Sequence, residues 1–391
     1  MMLIALLADF FIVEPPPVPE STVLEGRFDA PPVEHWRMRL PERHPSFSHT
    51  ELSRPASDGD SIFVGIAAVN ALVQLDRATG EVVSRYKANA PVQSEPVLVD
   101  GTVTFTDGAG YTWRYEVGAR DHSWVHYGGA PITSAPTVTG NRVFVASVDD
   151  VVYALNASDG ALVWRYSRPP DAARTSELAL FGAPSPVIAG RLVLAGFSDG
   201  ALVGLAADDG EVNWERRVGE GRYPDLIAPP LVDGTDCYVG GYSEPLVSLD
   251  LVSLNVRWRL DVGSAAPPLL TGEVLYHGGV DGKLRAIDRQ TGAEQWVWDS
   301  DTDGALTQPQ LLEAGLLVAS SEGALYLVDP STGELSWEYD PGFMLDGITV
   351  APLVVGRQLV AVTNAGWVMS LLAPRPGALR QDPLLGANAP L

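Results

Sequence analysis

Cysteine is almost missing from this chain. Cys237 is the single one among 391 residues, which excludes an intrachain disulfide and any cysteine-rich metal centre. It lies in the apolar run Cys237–Gly241 (CYVGG) and is expected to be a small buried hydrophobe rather than a nucleophile. Basic residues are also scarce: 26 Lys and Arg stand against 49 Asp and Glu, a formal net charge of -23. That balance argues against nucleic acid and anionic lipid as partners for the body of the protein and favours a basic protein surface or a cation. An acidic surface also serves solubility by itself. No stretch carries a helical period, and no transmembrane segment is expected. The most apolar run, Met1–Val13 (MMLIALLADFFIV), is too short to span a bilayer and has no Lys or Arg before it. It reads as the remnant of an export signal or a misplaced start. No cysteine follows it closely, so a lipid-anchoring thioether is not expected there. Glu14–Glu20 (EPPPVPE) then reads as a stiff, extended linker.

What is plentiful is Gly (39) and Pro (31), with 46% hydrophobic residues. That composition suits short strands joined by tight turns. An eleven-residue phrase recurs: Ala154–Trp164 (ALNASDGALVW), Gly204–Trp214 (GLAADDGEVNW), Ala286–Trp296 (AIDRQTGAEQW) and Leu327–Trp337 (LVDPSTGELSW). Weaker copies end at Ser84, Trp124 and Trp258. Each reads as a hairpin: an alternating strand, a polar corner, a Gly where positive φ is needed, and a second strand closing on a large aromatic surface. Before each phrase runs a further strand–turn–strand pattern, which makes four strands per unit. The closing positions fall at 36, 84, 124, 164, 214, 258, 296 and 337, between 38 and 50 residues apart. Such a period fits four-stranded propeller blades.

The last unit, Ala351–Leu372, supplies three strands, and the first, Val33–Leu40 (VEHWRMRL), supplies one without a body. Pairing the two would close the ring and remove an exposed edge. The expectation is an all-β, eight-bladed β-propeller of four-stranded antiparallel blades over residues 33–373. It is preceded by an apolar segment and linker, 1–32, and followed by a short tail, 374–391.

The phrase resembles the tryptophan-docking motif of the pyrroloquinoline-quinone (PQQ) type propellers, over about Val33 to Leu372. That motif implies the ring but not its chemistry, because enzymes, sensors and scaffolds share it. The longest step holds Thr175–Val187 (TSELALFGAPSPV). This is similar to the loop of the BamB family, the propeller subunits of the bacterial outer-membrane β-barrel assembly machinery, in which a Leu-x-Leu-Arg-Gly segment meets the barrel-inserting partner. Leu178, Leu180 and Gly182 match, and Phe181 stands where the family has Arg. Tyr223–Pro230 (YPDLIAPP) resembles an acidic loop of the same family. Asp225 matches one of its two Asp residues, and Ile227 replaces the other. The resemblance implies a non-catalytic scaffold on the periplasmic side of the outer membrane. It would be a monomer within a complex, bound to an outer-membrane β-barrel assembly protein, with unfolded barrel clients as a further class of partner. The same leucines could instead cap the fourth blade; their exposure separates the two readings. The family's N-terminal lipid-anchoring cysteine has no counterpart here.

Other readings stay beside it. Asp299–Gly304 (DSDTDG) places Asp299, Asp301 and Asp303 at the first, third and fifth positions of a calcium-type loop, but Gln310 stands at the twelfth in place of a bidentate Glu. The turns between second and third strands hold Asp107, Asp149, Asp150, Asp199, Asp281 and Glu322, which would make one face of the ring acidic. Turn chemistry alone also favours Asp there. His122–His126 (HSWVH) sets His122, Trp124 and His126 on one side of a strand, with no further zinc ligands evident. No cofactor is expected. Calcium remains an alternative, as does a ligand-sensing propeller. A PQQ-dependent dehydrogenase is disfavoured by the chain's length and the absence of an adjacent cysteine pair.

Overall fold

The computed structural model describes residues 28–39, 53–65, 69–168, 183–342 and 347–374. They form eight separate four-stranded antiparallel sheets. Seven are built from consecutive strands: blade 1 over residues 56–87, blade 2 over 97–127, blade 3 over 137–167, blade 4 over 187–217, blade 5 over 231–260, blade 6 over 269–299 and blade 7 over 310–339. Blade 8 takes three strands from residues 353–372 and its fourth from Val33–Arg39, which pairs antiparallel with Trp367–Leu372. The ring is an eight-bladed β-propeller, closed as the sequence implied.

Strand composition follows position. The second and third strands are the most buried of each blade, and several read as near-continuous apolar runs covered on both faces, such as Ser61–Gly65 and Val151–Asn156. The fourth strands form the outer rim and keep the alternation of a half-solvated strand: in Leu162–Ser167 only Trp164 is buried. The first strands are short, three residues or fewer, and those of blades 8 and 1, 1 and 2, 2 and 3, and 4 and 5 touch one another near the axis.

The apolar clusters lie between blades rather than at the centre. Phe144, Val152, Ala154 and Trp164 of blade 3 pack against Val193, Ala195, Phe197 and Val203 of blade 4. Leu194 and Leu202 of blade 4 meet Cys237, Val239 and Val247 of blade 5. Cys237 is fully enclosed, and burial pushes its thiol up to about 12, so it is a packing residue.

The recurrent Trp makes a single contact many times over. The indole of Trp258 in blade 5 lies flat on Gly292 in the corner between third and fourth strands of blade 6, and its Nε1–H donates to the Arg289 carbonyl at 2.9 Å. Trp36, Trp124, Trp164 and Trp296 repeat it on Gly80, Gly160, Gly210 and Gly333, donating to the carbonyls of Arg77, Ala157, Ala207 and Pro330. A Cβ at Gly292 would sit 2.7 Å from the ring, and φ there is +74°, so the position demands glycine twice over. A bulge just before the aromatic aims it at the next blade; Ala154 faces Trp164 and Leu155 faces Leu162, leaving Val163 unpaired.

Three interfaces depart from the rule. Blade 1 has Ser84 at the closing position, and Tyr86 serves instead: its hydroxyl accepts the Gly118 N–H at 2.9 Å and donates to Gln74 at 2.7 Å. In blade 5 the corner glycine is replaced by Leu254 at φ +58°, and Trp214 lies over Gly204 of its own blade. In blade 8 the third and fourth strands are far apart in sequence and no hairpin corner joins them, and there Trp337 donates to the carbonyl of Phe28 at 2.6 Å. Phe28 is fully buried among Leu317, Leu327, Leu359 and Leu371. Closure thus begins five residues before Val33, the start of the ring expected from the sequence.

Truncating Trp258 to Ala should cost about 3–5 kcal/mol, and Gly292→Ala about 1–3 kcal/mol through overpacking and positive φ. Because they share one contact, the double variant should lose clearly less than the sum. Denaturant midpoints of the four proteins test this, and strict additivity would show that the stack is not the coupling contact.

Candidate functional site

Antiparallel order fixes which segments share a face. The connection from the fourth strand of one blade to the first of the next emerges at the same end as the turn between second and third strands. The corners that receive the indoles lie at the opposite end. Among the described candidates, Asp225, the Asp299–Gly304 loop and the acidic turn residues therefore belong to one face, the loop face.

The segment carrying Leu178, Leu180, Phe181 and Gly182 lies outside the described residues, within 169–182. Its upstream anchor is described. Arg168, the residue after the fourth strand of blade 3, reaches into blade 4. Its Nε donates to Asp199 at 2.8 Å, its Nη2 contacts Asp199 at 2.7 Å and Glu215 at 2.8 Å, and its guanidinium lies 5.5 Å from the Phe197 ring centre. The Arg168 N–H also donates to the Asp150 carbonyl at 3.0 Å. Sequence reasoning missed this clasp, because nothing local in Arg168, Asp199 and Glu215 links residues so far apart.

The Asp225 loop joins blade 4 to blade 5. Asp225 itself is only 7% exposed. The loop is held from below by Glu244, in the turn between second and third strands of blade 5. This buried carboxylate accepts the N–H groups of Glu220 at 3.0 Å and Gly221 at 2.8 Å. Gly241 lets the Asp225 carbonyl approach, since a Cβ there would sit 2.0 Å from it. Arg222 and Tyr223 remain at the exposed tip, the guanidinium 5.4 Å from the ring centre.

The Asp299–Gly304 loop joins blade 6 to blade 7. Asp299, Asp301 and Asp303 are exposed, while Ser300 and Thr302 turn inward and join Ser320 of blade 7 through hydroxyl contacts of 2.9 and 3.0 Å. Asp299 is committed to Lys283 at 2.8 Å and to the Asp301 N–H at 3.0 Å, and the ammonium holds its carboxyl below the ordinary value. Gln310, the twelfth position, is on the innermost strand of blade 7 and donates to the Pro352 carbonyl. Among the described residues no three His, Cys, Asp or Glu side chains are grouped so as to hold a metal ion.

The acidic turn residues do share the loop face, and most are spent on the fold. Asp107 is fully buried and accepts from Asn89, Ala109, Tyr111 and the Trp113 indole. Asp150 accepts from the Ser198 N–H and hydroxyl, tying blade 3 to blade 4. Asp281 takes the Arg285 guanidinium at 2.6 Å. Glu322 stays exposed. The histidines are not brought together as a pair: His122 packs edge-on against Trp113, whereas His126 lies on the strand near Tyr153 and burial lowers its pKa.

The Arg168 clasp has a pH signature. Its hydrogen bond to Glu215 holds that carboxyl below the ordinary value of 4.5. A carboxyl depressed on folding stabilises the protein fully above its unfolded pKa, and the contribution fades as pH falls through the folded value. Wild type should therefore melt above Glu215→Gln at about pH 7, and the gap should shrink as pH falls below the ordinary carboxyl value of 4.5. A gap that keeps its size below that value would exclude the pair as its source.

A family model described as outer membrane protein assembly factor BamB matches residues 26–133, 124–298 and 281–379. BamB of Salmonella typhimurium is 25% identical over 329 residues, covering 71% of this chain and 83% of that protein. BamB of Legionella pneumophila is 29% identical over 201 residues, covering 50% of this chain and about half, 52%, of its relative. Among solved structures, BamB from Moraxella catarrhalis superposes with a TM-score of 0.71 at 18% identity, covering 87% of this chain and 99% of that one. A quinohemoprotein alcohol dehydrogenase from Pseudomonas putida HK5 superposes at 0.68 with 13% identity over 93% of this chain and 82% of its own. Likeness at that identity shows the ring alone, since an assembly factor and an enzyme share it. The family match is the discriminating observation: it runs through all eight blades, and by it this chain belongs to the BamB family, whose members are outer membrane protein assembly factors and not enzymes.

Proposed function

We propose that this protein is a non-catalytic scaffold of outer membrane protein assembly, working on the periplasmic side of the outer membrane. Its loop face would dock on a β-barrel assembly partner. The observation that carries the reading is the family match across the whole ring. A second fact supports the location: the described start of the connection from blade 3 to blade 4, at Arg168, lies on the same face as the Asp225 loop, which joins blade 4 to blade 5.

In this reading Leu178, Leu180 and Phe181 supply apolar anchors beside Gly182. Phe181, in place of the family's Arg, exchanges a charged contact for an apolar one. Asp225 is sunk into its loop and supports the shape of the docking face. The clasp at Arg168 and the Glu244 bridge hold the two connections to rigid blades, which lowers the ordering cost of binding. Among the described residues no helix is long and apolar enough to cross a membrane, so attachment would come from the partner or from outside them.

Purified protein should capture the soluble part of an outer-membrane barrel-insertion protein. Leu178→Ala with Leu180→Ala should weaken capture at least tenfold, about 1.4 kcal/mol or more, with the melting temperature unchanged. No capture by wild type overturns the reading. Parallel loss of melting temperature and capture would assign the leucines to the core.

A further inference from the structure

Each blade enters the axial wall through a proline that immediately precedes its innermost strand. The residues before those eight prolines are Arg54, Glu95, Ala135, Ser185, Pro229, Pro267, Gln308 and Ala351. Equivalent positions in a ring lie at equivalent places, here the mouth of the axial channel on the loop face. Six are uncharged, and the two charged ones are neighbours of opposite sign.

That pair is poorly satisfied. Arg54 Nη1 stands 3.8 Å from Glu95 Oε1, and Nη2 donates to Gln310 Oε1 of blade 7 at 3.4 Å, both long for bonds to a guanidinium. The Arg54 Nε is buried without a partner. Among the described residues Glu95 pairs with nothing but Arg54. Burial raises the Glu95 pKa although 39% of its side chain is open to solvent. The backbone beneath is fixed: the Ser53 hydroxyl donates to the Ser94 carbonyl at 2.8 Å and accepts the Gly65 N–H at 3.0 Å.

We propose that the channel mouth binds a small zwitterion of the α-amino-acid class, its carboxylate on the Arg54 fork and its ammonium on Glu95. A guanidinium offers parallel N–H donors that match a carboxylate, and the long contacts of Nη1 and Nη2 leave that edge of the fork weakly held. Glu95 supplies the acceptor a neighbouring ammonium requires. A neutral ligand also enters without opposing the field of a chain carrying a net charge of -23. This site is separate from the docking reading and stands or falls independently of it.

Calorimetric titration of the full chain with glycine, acetate and methylammonium tests the assignment. Glycine should bind saturably and at least tenfold more tightly than either half-molecule. Arg54→Gln should abolish the binding, and Arg54→Lys, which keeps the charge but not the fork, should lower it at least tenfold. Glu95→Gln should bring glycine and acetate to equal affinity. Melting curves of each variant check that the ring is intact. No saturable glycine binding by the folded wild type, or binding unchanged in a folded Arg54→Gln, overturns the site. Equal affinity for acetate and glycine in the wild type overturns the role given to Glu95.

Discussion

The docking of an indole on the corner glycine of the next blade is the contact on which this ring depends. A blade of four short strands has two apolar faces and too little of either to be stable alone. Packing face to face buries them, but apolar packing is non-directional and would tolerate a sliding register. The indole N–H, donated to a carbonyl in the receiving corner, fixes how far and at what angle neighbours meet. Glycine is required because the ring lies where a Cβ would be, and the bulge before the aromatic turns it out of its own sheet.

Closure follows the same constraint. Eight blades need eight interfaces, and the last is made by a strand from the other end of the chain together with Phe28, whose carbonyl receives Trp337 where a hairpin corner would have stood. The variants on the rule show what is indispensable. Tyr86 replaces the aromatic of blade 1 by bridging to Gly118 through its hydroxyl, and Trp214 folds back over Gly204 where Leu254 bars the corner. In the first case the polar tie to the neighbour is kept while the aromatic changes.

Placing the indole docking at one end of the ring leaves the other end to the connections. There the chain varies most in length, and there Arg168, Glu244 and Asp150 tie connections or turns to neighbouring blades. Family membership and loop chemistry meet on this face. The uniform rim and corners build the scaffold, and the differences between blade connections carry what distinguishes this ring from others of the same shape.

The sequence by itself determined the strand count per unit, the number of blades, the glycine corners and the strand exchange that closes the ring. These are periodic, near-neighbour properties: alternation, turn chemistry and an aromatic at a fixed spacing are written within eleven residues. It also marked Asp225 and the 178–182 segment by resemblance. Only the tertiary structure decided which charges are available. Asp107, Asp150 and Asp281 read as an acidic face and are consumed by backbone, hydroxyl and guanidinium partners. The Asp299 loop has the spacing of a calcium-type loop, and only the structure shows its first carboxylate paired with Lys283. Phe28, Glu244, the Arg168 clasp and the Arg54–Glu95 pair left no local signal, because each depends on residues of different blades. Whether a side chain is spent or free is settled by what the ring brings beside it, and that proximity is a property of the closed circle rather than of any stretch of chain.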